Sequence, residues 1–304
     1  MKRKVVKQGS ATLTVSLPTS WTKKYNIKPG DEIEMEVQDK AILITNNNPI
    51  AIETKEINIS KLHPLINRTI LRAYQQGYDE IKLIFDRPEL MQKLQRIINE
   101  LIGFEAVEQG KSYCILRDIS GSSNEEFENI YRRIFLLLKS MANDSYDWFK
   151  EENYDNLKNI AYRDVDINKF TNFCLRHLNK KGHQDYTKTP TVFFIIQRLE
   201  EIGDSYKELI NHIAEKRIKP KKELLDIYYK TGELLNLCYE FSFQHKREKA
   251  LQISRSYDEL KNQIKAELKD KLDRNETYCI TALKSVVEKI ILLQGSQLAY
   301  INDI

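Results

Sequence analysis

The chain has 304 residues, of which 41% are hydrophobic and 30% are charged, and its formal net charge is +4. This length predicts two or three domains, and the composition is typical of a soluble, folded protein. No apolar run approaches the ~20 residues of a membrane-spanning helix, and the first residues are typical neither of a signal peptide nor of a transit peptide. We therefore expect a cytoplasmic protein without stable membrane insertion.

The first thirty residues carry positive charge only. They contain seven cationic residues and no acid: Lys2, Arg3, Lys4, Lys7, Lys23, Lys24 and Lys28. Clustered cations attract a phosphate backbone, whereas scattered ones mainly keep a surface soluble. We therefore predict DNA binding, with Arg3, Lys4, Lys7, Lys23 and Lys24 as the contacting residues. The alternative is that these cations only keep a dimerisation module in solution.

Short strands and one helical turn are predicted in the same segment. Apolar and polar residues alternate over residues 12–17 and again over 33–37 and 42–44, which is the period of a strand. Pro18 begins a helical turn that extends to Tyr25, and residues 28–31 have the composition of a tight turn. So few residues cannot bury a self-sufficient core. The pattern therefore predicts an intertwined homodimer.

The order of these elements, with Gly9, a proline-led helix and the Pro-Gly-Asp turn at 29–31, resembles that of the AbrB/SpoVT domains. This resemblance implies a swapped-hairpin β-barrel formed by two chains, which binds DNA and spans residues 1–48. Ser10 stands where such domains often have a basic residue, and Thr22 and Lys23 stand where they often have two arginines. No base preference can therefore be carried over.

The rest of the chain predicts two further domains, which makes the fold class multidomain α+β. Residues 49–120 have the pattern of a small α/β domain in the order βαβαββ, without recognisable chemistry. Residues 121–304 are helical throughout and predict a six-helix bundle made of two three-helix repeats, 121–216 and 217–304. A shift of 88 residues places the apolar stripe of the third helix onto that of the sixth. Capping boxes are predicted at Ser123 with Glu126 and at Asp273 with Glu276.

Three carboxylates of the first repeat predict a cation site. Glu200 and Asp204 are four residues apart and therefore share one helix face, and Asp164 takes a position in the second helix where an apolar residue is expected. Oxygen ligands suit magnesium, calcium, manganese or iron, so we predict a divalent or iron-type metal ion at Glu200, Asp204 and Asp164. The alternative is an exposed acidic row that pairs with Arg198 and Lys207.

The two repeats and this carboxylate motif resemble the PhoU family, whose members bind metal through carboxylates at the same spacing. Glu200 and Asp204 match the motif; in the second repeat Glu288 matches, but Leu292 and Ser256 depart from it. Together with the AbrB-like start, the chain resembles archaeal phosphate uptake regulators. This resemblance implies a DNA-binding transcriptional regulator of phosphate uptake, with a phosphate transporter component as a partner. The alternative is an adaptor that modulates the transporter without binding DNA.

The sequence does not predict an enzyme. Neither a nucleophile and base pair nor a phosphate or dinucleotide loop can be assembled from these residues. The four cysteines, at positions 114, 174, 238 and 279, are widely separated, and so are the five histidines. Neither set has the spacing of a zinc site. We expect these thiols to be buried.

Overall fold

The computed structural model describes residues 1–38, 41–45, 52–121, 123–269 and 271–301, with the backbone alone for Glu36 and Gln38. The chain divides into two compact units, residues 1–54 and residues 55–304. The domain boundary predicted after residue 48 lies outside the described residues. Among the described helices, none combines the length and the apolar composition that are needed to cross a membrane.

The described part of the first unit contains four short strands and one short helix. These are β1 (Val6–Gln8), β2 (Thr12–Thr14), α1 (Thr19–Lys24), β3 (Glu34–Gln38) and β4 (Ala41–Thr45). β1 pairs with β2 and β3 pairs with β4, both antiparallel, as two separate ladders. The strand predicted over residues 12–17 is shorter than expected because the chain leaves β2 after Thr14 and approaches α1 through Pro18. No closed barrel is formed by the described residues of one chain, so the swapped-hairpin barrel stays a prediction.

The turn between α1 and β3 has the geometry that its sequence predicts. Asn26 ends the helical turn in the left-handed region with φ 46°, and Gly30 has φ 97°. The Asp31 amide donates to the Lys28 carbonyl at 3.1 Å, and the Lys28 amide donates to the Asp31 carboxylate at 2.7 Å. Two local bonds therefore close the turn.

The second unit begins with a four-stranded sheet and two helices. Its elements are β5 (Thr54–Asn58), α2 (Ile66–Gln75), β6 (Glu80–Ile84), α3 (Leu90–Ile98), β7 (Phe104–Gln109) and β8 (Tyr113–Asp118), and the strand order is β5-β6-β8-β7. The element order is therefore the expected βαβαββ. Both helices are strongly amphipathic, and their apolar residues close a core with the sheet: Ile66, Ile70, Tyr74, Leu94 and Ile97 are all buried.

Seven α-helices make up the rest of the described chain. They are α4 (Asn124–Lys150), α5 (Tyr154–Ile160), α6 (Arg163–Lys181), α7 (Thr189–Lys216), α8 (Lys222–Gln244), α9 (Arg247–Glu267) and α10 (Arg274–Tyr300). The expectation of six helices is wrong because the predicted second helix is divided into α5 and α6. At the junction the amides of Ala161, Tyr162 and Asp164 bond three residues back, which tightens the chain and ends the α-helical pattern.

One core runs through all seven helices. Every residue of the predicted stripe of α7 is buried: Val192, Ile195, Leu199, Ile202, Tyr206, Leu209 and Ile213. Their six counterparts 88 residues later in α10 are buried as well, and the seventh, Ile301, follows the helix and is partly buried. At the start of α10, Asp273 and Glu276 form the full capping box, and at α4 the Glu126 amide donates to the Ser123 hydroxyl at 3.0 Å. The internal correspondence is therefore present in the packing.

Arg176 of α6 holds the sheet domain against the bundle. Its side chain is 6% exposed, and its guanidinium donates to the Tyr74 carbonyl at 2.8 Å and pairs with Asp118 at 2.9 Å. It also lies 4.7 Å from the centre of the Phe104 ring. Asp118 also has a longer ion pair with Lys180 of the same helix, at 3.6 Å. The two parts of the second unit are therefore fixed to each other by a specific polar contact.

Candidate DNA-binding segment and carboxylate cluster

The five predicted DNA contacts all lie in the first unit and are exposed. Arg3 and Lys4 precede β1, and Lys7 lies within β1 opposite Leu13, on the same face of the ladder. Lys23 and Lys24 occupy the last turn of α1. Cations at the C-terminal end of a helix complement its dipole, so these two lysines suit their position without a ligand.

Lys24 has partners within its own unit. Its ammonium lies 3.5 Å from the Glu53 carboxylate and 5.0 Å from the centre of the Tyr25 ring. The hydrogen bond to Tyr25, followed by Glu53, raises the pKa of Lys24. Because the pair is about 60% exposed, it competes only weakly with a phosphate for this ammonium.

The β3–β4 ladder presents an apolar face to solvent. The register opposes Met35 to Ile44 and Val37 to Ile42, which places these four side chains on one face. We call this the ladder face; Met35, Val37 and Ile42 are 58%, 77% and 57% exposed. In the whole first unit, no side chain that the structure describes is buried. A contiguous exposed apolar face is typical of an interaction surface.

The carboxylate cluster of the bundle is organised around a lysine. The Lys207 ammonium lies 2.7 Å from Asp164 Oδ2 and also donates to Asp204. Asp164 is buried in α6, as its place in the apolar stripe predicts, and burial raises its pKa against the opposing effect of Lys207. Lys207 therefore supplies the positive charge that two neighbouring carboxylates require.

Glu200 is left outside these pairs. It forms no hydrogen bond or ion pair within the described part of the chain, and Arg198 is paired instead with Glu201 at 2.5 Å. Burial, followed by the nearby Asp204 and Asp164 carboxylates, raises the pKa of Glu200 to about 7. Glu200 is therefore a carboxyl group that changes its protonation state near neutral pH.

The arrangement as folded does not fit a metal ion. Within the ranges that the structure describes, no three His, Cys, Asp or Glu side chains converge on a common point. Two buried oxygens, Asp164 Oδ1 and Asn168 Oδ1, lack a partner there, but the Lys207 ammonium lies between the carboxylates that would be the ligands. Metal binding at Glu200, Asp204 and Asp164 stays a prediction, which requires Lys207 to move aside.

Gly203 serves the packing of the helices. A Cβ at this position would lie 3.3 Å from a methyl group of Ile167 and 3.4 Å from one of Leu138. The absence of a side chain therefore lets α7 approach α6 and α4 closely. The sequence alone did not predict that Lys207 lies between Asp164 and Asp204. Its only signal is the spacing of three residues between Asp204 and Lys207, which many exposed helices share.

The comparisons with known proteins concern the first unit. A family model described as "Antidote-toxin recognition MazE, bacterial antitoxin" matches residues 6–51. The N-terminal segment is similar to MazE antitoxins. This match supports the prediction of an AbrB-like N-terminal part and covers β1 to β4 together with α1. The comparisons with curated proteins and with solved structures found no match, so the PhoU resemblance of the bundle stays a prediction.

Proposed function

We propose that this chain is a DNA-binding regulator that dimerises through its N-terminal segment. The observation that carries the proposal is the ladder face: Met35, Val37, Ile42 and Ile44 are apolar and lie side by side, and the first three are more than half exposed. Burying one such side chain stabilises an assembly by about 1.5–3 kcal/mol. A second copy of the same face is the self-complementary partner that a two-fold dimer supplies.

The charge of the segment favours DNA as its ligand. Dimerisation doubles the five exposed cations that surround β1 and α1, and no acid lies among the first thirty residues. The family matched by this segment is described by its antitoxin role, and AbrB-like domains commonly bind DNA and form dimers. Two copies of these cations, held in one dimer, can contact the phosphates of both strands of a DNA duplex.

The helical bundle is the proposed sensor, and its link to phosphate uptake rests on the PhoU resemblance alone. A ligand or transporter component that binds one dimer arrangement better than another would shift DNA affinity by linkage. A metal ion at the carboxylate cluster is one such signal. Elemental analysis of the native protein beside a Glu200→Ala, Asp204→Ala variant tests it, and equal metal contents would remove this part of the proposal.

The central experiment measures DNA affinity as a function of salt concentration. We expect native protein to bind duplex DNA with an affinity that falls steeply as salt rises. Replacement of Lys4, Lys7, Lys23 and Lys24 by alanine should lower the slope by about one for each phosphate that is no longer bound. The matched control removes four exposed lysines of the second unit: Lys216, Lys222, Lys246 and Lys265. It should bind DNA like the native protein.

An unchanged salt slope in the first variant would contradict the proposed DNA surface and favour the transporter adaptor, with the N-terminal segment serving only to dimerise. The description of the matched family gives a second candidate, which is recognition of a toxin protein by the same segment. A dimer that binds no DNA but protects cells from a co-expressed toxin would favour that role. A genome-wide footprint of the tagged protein would test DNA contact and physiological role together.

A further inference from the structure

A cavity of about 160 Å³ lies at one end of the helical bundle. The first turns of α4, the beginning of α7 and the ends of α8 and α10 surround it, so both halves of the bundle contribute to its wall. Apolar cavities of roughly 150 Å³ accept a ligand the size of benzene. The space therefore suits a compact molecule of one ring or two fused rings.

Aromatic side chains form much of the wall. Phe127 and Tyr131 lie parallel with ring centres 6.1 Å apart, and Phe243 lies 6.0 Å from Tyr131. Tyr300 closes the end next to His183, with ring centres 5.7 Å apart. Flat aromatic ligands pack well in such a wall, in offset or edge-to-face arrangements.

The charges around these rings favour a neutral ligand. The Arg132 guanidinium lies 4.2 Å from the centre of the Phe243 ring, and the Lys188 ammonium lies 4.7 Å from that of Tyr300. Both rings are thus already engaged with cations, so an ammonium ligand would meet like charge. Glu128, also in the lining, disfavours an anion.

Gln297 belongs to the cavity lining and carries a buried acceptor that has no partner within the described residues. Its Nε2 donates to the Cys238 carbonyl at 3.0 Å and to the Ser242 hydroxyl, which fixes the orientation of the amide. Its Oε1 then has no partner among the described residues, although the side chain is 3% exposed. A buried acceptor without a donor costs free energy, and a ligand with one N–H or O–H group would supply that donor.

We propose that this cavity binds a neutral, flat aromatic compound of one or two rings that donates a single hydrogen bond to Gln297. The lining contains no residue of the carboxylate cluster, and the proposal does not depend on the proposed DNA binding. It would give the bundle a small organic ligand of its own.

Indole and indene provide the test, because they share shape and size but only indole has an N–H donor. By titration calorimetry on the full chain we expect indole to bind about fivefold more tightly than indene, and Gln297→Leu to remove this difference. Gln294→Leu is the matched control: Gln294 is also buried in α10, but it bonds to Ala250 and Ser254 and does not line the cavity.

A second variant, Val192→Phe, fills the cavity from α7 and should abolish binding of both probes while the helical circular dichroism is retained. Undetectable binding of both probes to the native protein would overturn the proposal. Equal affinities for indole and indene would overturn it as well, and so would an indole affinity that Gln294→Leu lowers as much as Gln297→Leu.

Discussion

Substitution of Glu200 by glutamine tests the electrostatics of the carboxylate cluster. Burial and the neighbouring carboxylates raise the pKa of Glu200 from 4.5 to about 7 in the folded protein. Between these two pH values the folded chain holds a proton that the unfolded chain has lost. Stability therefore falls as pH rises through this window, and the contribution of Glu200 is lost above pH 7.

The expected size of the effect follows from this separation of pKa values. The full difference corresponds to about 3 kcal/mol. Because Glu200 is only partly buried, solvent screening reduces the expected change to about 1–2 kcal/mol. Glu200→Gln should therefore be more stable than the native protein by this amount at pH 8 and nearly equal to it at pH 5.

Urea unfolding followed by far-ultraviolet circular dichroism measures this difference, because the signal comes mainly from the helices. The measurements are made with a chelator present, so that no metal ion compensates the carboxylates. Glu215→Gln is the control, since Glu215 is exposed on the same helix. A Glu200→Gln variant that is less stable than the native protein at pH 8, or that shows the same pH dependence, would refute the reasoning.

Three further substitutions have defined outcomes. If the proposed dimer forms through the ladder face, Val37→Asp should convert it to monomer in sedimentation experiments, whereas a dimer retained at micromolar concentration would contradict the interface. Arg176→Met should lower the free energy of unfolding by about 1.5–3 kcal/mol, because Asp118 loses its shortest charged hydrogen bond and keeps only the longer ion pair with Lys180 and bonds from the backbone; an effect below about 1 kcal/mol in urea unfolding would argue against that pair. Lys207→Met should destabilise by about 2–3 kcal/mol at pH 8 and by less at acidic pH, because burial already raises the pKa of Asp164 and the loss of Lys207 raises it further; equal losses at both pH values would count against the pairing of Lys207 with these carboxylates.

Local signals in the sequence predicted the N-terminal elements well. Proline before α1, asparagine after it and the sequence of the following turn each restrict the backbone within a few residues. The resulting left-handed Asn26 and Gly30 are as expected. The length of β2 was overestimated because alternation continues to residue 17 in the sequence, while strand pairing also requires a partner across the ladder.

The bundle was predicted less completely. Apolar periodicity identified the helical stripes, and all seven predicted positions of α7 are buried. It did not reveal the division between α5 and α6, since the residues around Ala161 keep helical spacing while the backbone bonds shift to three-residue steps. Nor did it decide between a metal ion and Lys207 as the cation of the cluster, because that choice depends on how α6 and α7 pack.

The absence of buried side chains among the described residues of the first unit has a consequence for regulation. If the segment gains its core only from a second chain, then its folding and its dimerisation are one equilibrium that depends on protein concentration. The proposed DNA-binding surface would then form only in the dimer. A signal that binds the helical bundle and changes the stability of that dimer would therefore change DNA affinity. An additional favourable free energy of about 1.4 kcal/mol from contacts between the helical bundles of the two protomers would strengthen dimerisation tenfold. Two results would contradict this coupling of folding and dimerisation. One is an N-terminal segment that stays folded in the monomer, and the other is a DNA affinity that does not depend on protein concentration.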